Sequence, residues 1–457
     1  MLSPFSKLGL FVGLALSSLL PLALGAENYI VSGDRWKDSD GNFINAHAAG
    51  ILREGNQFYW VGEYKEKSNG FRGFSLYTST DLINWQNKGL VVQATSGLPF
   101  QVGERPKIIK NASTGKYVLW FHADSSNYSK AQVGVCTASA VAGPYDCSSV
   151  FSPLGLESRD MNVYVDDDKT GYLIFATNDN QETAVATMTP DYTGLVKRVA
   201  TIPGRLEGFG VFKRGGQYNM ILSGQSGWRP NPNYRYTASS MSGPWTKANA
   251  IAPEDLNTYN SQNTFELSIG STEVYIGDRW WETDLSQSRY VWQPFKDNVL
   301  DYRPLWRINL QDGSYTSPAS TTYSLSAGKV SGSNAKTVFA ACSACPSGKI
   351  GTYIGAGGSV TLSGVQTPDG SAGAVWVSVY YVNSDSYPNW RSGTIQVGSS
   401  APVAVTFPTG GSLSGHLQDT PVKVNLAAGK NTVTLAGPSG GGYAADISHI
   451  VVWQSNK

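Results

Sequence analysis

The sequence predicts an all-β protein: a five-bladed β-propeller followed by a β-sandwich of jelly-roll type. Three observations carry this expectation. A phrase of tight turn and aromatic strand restarts five times between about Glu27 and Ser317, as Gly55-Asn-Gln-Phe-Tyr-Trp60, Gly115-Lys-Tyr-Val-Leu-Trp120, Gly171-Tyr-Leu-Ile-Phe175, Gly216-Gln-Tyr-Asn-Met-Ile221 and Ser271-Thr-Glu-Val-Tyr-Ile276. The intervals of 45 to 60 residues match one propeller blade each, whereas a sandwich has no reason to repeat one phrase. The composition agrees: 13 Trp and 24 Tyr beside 50 Gly suit short strands, tight turns and sugar-stacking faces better than helices. Finally, the texture changes near Ser314–Ser333 to Ser, Thr, Ala and Gly, and no Glu occurs after Glu282.

Taken in order, residues 1–25 read as a signal peptide, with Lys7 before an apolar run from Leu8 to Leu24 and small residues at the cleavage position. The protein is therefore expected to be secreted. The sequons at Asn111 and Asn127 fit that compartment. So do four cysteines in two near pairs, Cys136 with Cys147 and Cys342 with Cys345. Disulfides are expected, although four cysteines allow three connectivities. Residues 26–318 form the propeller. Residues 319–457 form the sandwich, whose alternating strands run over Gly358–Leu362, Ala374–Val382, Gly393–Val397, Val422–Leu426, Asn431–Leu435 and Ile447–Trp453. Without glutamate, this second domain is ill suited to carboxylate chemistry and reads as a binding module.

Charge excludes some partners. With Lys+Arg 35 against Asp+Glu 34, there is no field to gather nucleic acid or an anionic membrane, and no segment after the leader is apolar enough to span a bilayer. A neutral partner and a monomeric protein are expected. The strands entering the repeated turns bring carboxylates towards one axis: Glu104 in blade two, Asp160 in blade three and Glu207 in blade four, with the carboxamide of Gln262 in blade five. Glycoside hydrolysis needs such a set, with one acid for the leaving oxygen and one group for the water. Glu207 opens the hairpin Arg205–Tyr218, whose Gly215-Gly216 turn joins two strands. Asp166-Asp-Asp168 reads as a solvated turn, since it lacks the remaining ligands of a calcium loop.

Tyr77-Thr-Ser-Thr-Asp-Leu-Ile-Asn-Trp85, Asp160 before Val163-Tyr-Val-Asp-Asp-Asp168, and Leu206-Glu-Gly208 before Val211-Phe-Lys-Arg214 resemble glycoside hydrolase family 43. The resemblance implies that Glu207 is the general acid and that Asp160 raises its pKa. It also implies an aspartate base in blade one, yet Phe43-Ile-Asn-Ala-His-Ala-Ala-Gly-Ile-Leu52 has no carboxylate. That departure, with Gln262-Asn-Thr264 and Gly277-Asp-Arg-Trp280, is similar to the branch holding fungal exo-β-1,3-galactanases, where the glutamine stands in as base. Gln262 and Glu104 both remain open for that role. Glu63, Arg105, Tyr128, Asn178, Asn180 and Trp228 are expected to bind sugar.

The C-terminal segment resembles carbohydrate-binding module family 35 in Lys349-Ile-Gly-Thr-Tyr-Ile-Gly355, Gly358-Ser-Val-Thr-Leu362 and Gly442-Tyr-Ala-Ala-Asp-Ile-Ser-His-Ile450. The resemblance implies ligand residues Tyr353, Asn383, Tyr443 and Asp446. It leaves calcium in the module open, because Ser and Leu near Tyr323–Leu325 replace the family's glutamate and Ser448 follows Asp446. The expected protein is thus a secreted, inverting exo-hydrolase that releases galactose from β-1,3-galactan or arabinogalactan, with no cofactor required for catalysis. An α-L-arabinofuranosidase or β-xylosidase of the same family, or a non-catalytic galactan-binding protein, are the alternatives.

Overall fold

A computed structural model describes residues 27–95, 97–332 and 337–454; the expected leader lies outside them. The chain is all-β. The five sequence repeats are the second strands of five consecutive four-stranded antiparallel sheets. Sheet one holds His47–Glu54, Gln57–Lys65, Phe71–Ser79 and Gln86–Gln93. Sheets two to five begin with Val102–Lys110, Met161–Val165, Leu206–Arg214 and Gln262–Ile269. Each first strand packs against the first strand of the next sheet, and that of sheet five returns to that of sheet one.

Indole rings fill the join between sheets one and five. Trp60 meets Trp36, Trp85 and Trp292 at centroid distances of 5.8, 5.0 and 5.0 Å, and all are buried. The N-terminal strand Ile30–Val31 pairs with Trp306 and Leu305 across the same join. In this seam Trp60 Nε1 donates to the Ala46 carbonyl at 2.9 Å and Trp306 Nε1 to the Trp292 carbonyl at 3.0 Å, whereas the buried Trp292 Nε1 meets no acceptor among the described residues.

Four of the five first strands carry a register shift near their N-terminal end: at His47/Gly50, Glu104/Lys107, Glu207/Gly210 and Asn263/Phe265. In three of these bulges one residue takes left-handed backbone: Ala48 at φ 48°, Arg105 at 53° and Gly208 at 61°. A bulge adds one unpaired residue and turns the strand, which re-aims the neighbouring side chains. Here the bulges sit at one end of the ring and point Glu104, Arg105, Glu207 and Gln262 into a common space.

From Ser320 onward the strands pair only among themselves, within the described residues. Val338–Ala341, Lys349–Thr352, Asp446–Trp453, Gly373–Val382, Gln418–Leu426 and Ser320–Ser324 form a six-stranded sheet. Lys329–Ser331, Ser359–Val365, Asn431–Ala436, Arg391–Val397 and Val403–Phe407 form a five-stranded one. The inward residues of both sheets, including Val360, Val377, Tyr381, Ile395, Leu435 and Ile450, share a single buried cluster. Polar contacts join this unit to the five-sheet unit. Tyr302 bonds to buried Asp419, Arg289 donates to Thr406 and Thr420 at 2.9 and 3.2 Å, and Asn260 donates to the Thr409 carbonyl at 2.8 Å.

The cysteines form Cys136–Cys147 and Cys342–Cys345. Of the two sequons, Asn127 is exposed. Asn111 is buried, its amide bound to the Pro190 carbonyl at 2.7 Å. The Asp166–Asp168 turn is less solvated than expected: Asp166 is buried, bonded to Tyr218 and paired with Lys213 at 3.0 Å.

Candidate active site

At the bulged end of the ring lies a cavity of about 260 Å³. Its wall includes Glu63, Glu104, Arg105, Tyr128, Asp160, Glu207, Trp228 and Gln262, and also Ala48, Lys65, Asn69, Gly227 and Trp280. A larger cavity of about 420 Å³ lies between the segment around Glu27–Lys37 and the C-terminal strands, but the first strands do not converge on it.

Within the smaller cavity, the carboxylates divide by their partners. Asp160 is bound by Arg105 Nε at 2.6 Å and by the Gly208 N–H at 3.0 Å, both on Oδ2. Glu63 is ion-paired to Lys65 and accepts the Arg105 N–H at 2.8 Å. Glu104 accepts from Tyr128 Oη at 2.7 Å and from Asn69 at 3.3 Å, and lies 3.0 Å from His122 Nδ1. The other face of His122 meets Asp124 at 3.0 Å. Glu207 is bonded to a neutral group, Gln262 Nε2, at 2.7 Å.

Electrostatics follow from that pairing. Burial, then the nearby charge of Asp160, raise the Glu207 pKa to about 8, against the weaker opposing pull of Arg105 and Gln262. Burial also works against ionisation of Glu104, but the bonds and charges of His122 and Lys65 outweigh it and hold Glu104 far below the usual carboxylate range. Burial would neutralise His122, yet bonds to Asp124 and Glu104 carry it up to about 9. Glu207 therefore keeps a proton at neutral pH beside a carboxylate that stays ionised, which is the division of labour a glycosidase needs.

The amide of Gln262 is fixed in orientation by its neighbours. Its oxygen accepts from Arg105 at 2.9 Å and from Trp280 Nε1 at 2.9 Å, so its nitrogen faces Glu207. An imidic-acid tautomer would turn that oxygen into a hydroxyl facing two donors, which opposes the tautomer. Gln262 also sits in direct contact with Glu207, closer than the roughly 6.5–9.5 Å between the acid and the water-activating group of inverting enzymes.

From the first strand of sheet one no carboxylate reaches the cavity in place of the expected aspartate, and the carboxylate this sheet does bring to the wall is Glu63 of the second strand. His47 lies opposite Glu63 and is turned back onto Asp278, with Nδ1 2.8 Å from Oδ1, while the Ala48 N–H donates to Asp278 Oδ2 at 2.8 Å. The residue facing the cavity is Ala48.

Eight of the residues expected from the sequence share this cavity, and two do not. Asn178 and Asn180 lie in the turn after Gly171–Thr177, at φ 54° and 58°, outside the cavity wall. Lys65, Asn69, Trp280, His122 and Asp124 were not anticipated. Lys65 follows Glu63 by two residues in one strand, so strand alternation placed both on one face. His122 is the cross-strand partner of Glu104, a pairing that needs the register. In the C-terminal unit, Tyr353 and Tyr443 are 55% and 41% exposed and meet edge to face at 5.6 Å. Asp446 lies at the start of the strand Asp446–Trp453, and burial raises its pKa against the charge of Arg391. Asn383 does not share that exposed surface: it is fully buried, its amide donating to the carbonyls of Asn389 and Phe407 at 3.2 and 2.9 Å. Among the described residues, no cluster of three or more His, Cys, Asp or Glu side chains is arranged to hold a metal ion.

Comparison with known proteins agrees with this chemistry. The profile of glycosyl hydrolases family 43 matches residues 45–281. An exo-β-1,3-galactanase from Phanerochaete chrysosporium, solved with galactose, is 40% identical with a TM-score of 0.88, over 93% of this chain and 100% of that one. A Glu-to-Gln variant of the same enzyme, solved with β-1,3-galactotriose, aligns at 39% identity over the same spans with a TM-score of 0.88. An exo-β-1,3-galactanase from Clostridium thermocellum is 26% identical with a TM-score of 0.62, over 94% of this chain and 100% of that one. No curated protein sequence matches.

Proposed function

The chain belongs to glycosyl hydrolases family 43, and on that premise we propose that it is an exo-acting β-1,3-galactanase, releasing galactose from the non-reducing end of β-1,3-galactan. The observation that carries this reading is the pairing within the cavity. Asp160, Glu63 and Glu104 each face a cation, and Glu207 alone of the four is left with a neutral side-chain partner; burial raises both Glu63 and Glu207, but Lys65 pulls against it at Glu63 whereas the charge of Asp160 adds to it at Glu207. Glu207 donates its proton to the departing glycosidic oxygen as the bond to C1 lengthens. Asp160 keeps that proton in place through its charge and holds the Gly208 N–H beside the acid. Trp228 and Trp280, edge to face at 4.9 Å, offer an apolar wall to a pyranose ring.

A water then attacks C1 from the opposite side and loses a proton. Glu104 is the group we assign to it. It is the ionised carboxylate on the wall that is not bound to Arg105 or Lys65, and it is held by hydrogen bonds that fix its direction. Gln262 orients the acid. Proton NMR of the first-formed product checks the stereochemistry, and α-galactose is expected from the β-linked substrate; β-galactose would refute inversion. Azide distinguishes the two candidates for the water. Glu104→Ala is expected to recover turnover with azide and form α-galactosyl azide, and recovery in Gln262→Ala instead would transfer the role to Gln262.

The ring of first strands supports reading residues 26–318 as a five-bladed β-propeller, and the shared core of the two later sheets supports a β-sandwich over 319–457. We read the sandwich as a carbohydrate-binding module that keeps a secreted, monomeric enzyme on its polymer, with exposed Tyr353 and Tyr443 beside Asp446 as its contact surface. An enzyme that releases galactose from β-1,3-galactan and nothing from arabinoxylan is the expected product profile; the reverse would favour the arabinofuranosidase or xylosidase reading.

A further inference from the structure

The C-terminal unit reaches two loops that wall the catalytic cavity. After the strand Gly373–Val382, the segment 385–390 lies against two loops of the five-sheet unit. One loop follows the second strand of sheet four and carries Trp228; the other follows the second strand of sheet five and carries Trp280 and Trp281. Tyr387 and Trp390 hold one loop each: the Tyr387 hydroxyl donates to the Trp228 carbonyl at 3.0 Å, and Trp390 lies on Trp281 of the other loop. Trp390 stacks flat on Trp281, with centroids 4.9 Å apart and planes 4° from parallel, and the Arg289 guanidinium lies 5.4 Å from the Trp390 ring. The segment is itself braced. Arg391 binds both oxygens of Asp385 at 2.7 and 2.6 Å, and buried Asn383 donates to the Asn389 carbonyl at 3.2 Å.

The fastened loops matter because Trp228 and Trp280 meet edge to face in the cavity wall, and Trp280 Nε1 donates to Gln262, which touches Glu207. The structure assigns Tyr387, supported by Trp390, as a positioning residue of the active site: it fixes the Trp228 wall, so the C-terminal unit braces the cavity from outside its lining. This inference rests on the glycosidase reading above. The Tyr387 hydrogen bond, worth about 1 kcal/mol, and the Trp390–Trp281 stack hold the two loops to one segment, and wall spacing governs how firmly the sugar is held more than how the proton moves.

The test uses the full chain and soluble β-1,3-galactotriose. Tyr387→Phe is expected to raise KM about five- to tenfold, leaving kcat within about twofold and the pH limits of kcat unmoved, because Glu207, Asp160 and Arg105 keep their contacts. In a Trp228→Ala background the same change should add less than about twofold, since the wall it positions is gone. An unchanged KM in Tyr387→Phe, or an equal penalty in both backgrounds, overturns the assignment. If circular dichroism finds Tyr387→Phe unfolded at the assay temperature, Trp390→Leu probes the same segment, with the same KM rise and the same dependence on Trp228 expected and additivity again refuting it. A wild-type protein that released no galactose would instead defeat the functional reading beneath it.

Discussion

Asp160→Asn isolates one electrostatic contribution to catalysis. Both hydrogen bonds to Asp160, from Arg105 Nε and from the Gly208 N–H, fall on the same oxygen, Oδ2. An asparagine whose carbonyl oxygen takes that place keeps both bonds, and only the charge is lost. At the outer end of the ~4–6 Å range in which a neighbouring charge shifts a pKa, with an effective dielectric of about 20, the repulsion of two unit charges is about 2.8 kcal/mol, or about 2 pKa units. The pKa of Glu207, raised to about 8 by burial and then by Asp160, should therefore fall towards about 6. At pH 7 the protonated fraction of the acid drops from about nine-tenths to about one-tenth, so kcat falls about tenfold there and recovers at pH 5. The assay is kcat against pH on β-1,3-galactotriose, with galactose quantified by anion-exchange chromatography; under saturation the alkaline limb reports the acid in the complex. A limb that stays near pH 8, or a loss of rate equal at pH 5 and pH 7, would refute the claim that Asp160 acts through its charge on Glu207.

Three further predictions concern other parts of the molecule. Glu207→Gln should lower turnover by about 10²–10⁴-fold yet stabilise the fold at neutral pH. The native pKa of Glu207 is raised, so the stability its protonated form contributes is full below about pH 4.5 and lost as pH rises through about 8. Urea unfolding should show the variant about 1–3 kcal/mol more stable at pH 7.5 and no different at pH 4. His122→Asn should cost about 3 kcal/mol by leaving Glu104 and Asp124 without their shared cation. The His122 pKa is raised to about 9, so the wild-type advantage is largest below about pH 6.5 and fades as pH rises through 9, which unfolding at pH 6 and pH 9.5 will measure. Tyr443→Ala removes an exposed ring far from Glu207 in the chain; pull-down should show weaker retention on insoluble β-1,3-galactan, with kcat on the trisaccharide unaltered.

Much of this was legible in the sequence because its signals are local. The turn-then-aromatic phrase repeats because every sheet needs the same second strand, and the composition shift near Ser314 marks where strand pairing changes partners. Glu104, Asp160, Glu207 and Gln262 were legible because each precedes or opens a first strand at a comparable point. The bulges that aim them were not, since a register shift belongs to two strands together. The cations that sort the carboxylates were hidden for the same reason. His122 pairs with Glu104 across strands, and Arg105 points to Asp160 from a neighbouring sheet. Asn178 and Asn180 looked like sugar ligands by residue type, but a polar turn following a strand is equally well explained by left-handed backbone, which asparagine tolerates. The burial of Asn383 was not legible, because a buried amide that closes a turn has the same sequence appearance as an exposed one.

The missing blade-one aspartate acquires a physical meaning from these contacts. A carboxylate in place of Ala48 would add another anion to a wall that already presents Asp160, Glu63 and Glu104, and repulsion would push Glu207 above its present value of about 8. An acid that holds its proton more tightly donates it less readily. The negative charge is instead displaced by one layer: Asp278, from sheet five, binds His47 and the Ala48 N–H, with Ala48 facing the cavity. Removing the base from sheet one thus leaves Glu207 a usable acid in a crowded anionic site, provided another carboxylate can serve the water. Glu104 meets that condition because His122 offsets its charge while keeping it ionised. On the roles proposed for Glu207 and Glu104, one arrangement serves both: His122 pairs with Glu104, while Ala48 adds no carboxylate to the wall.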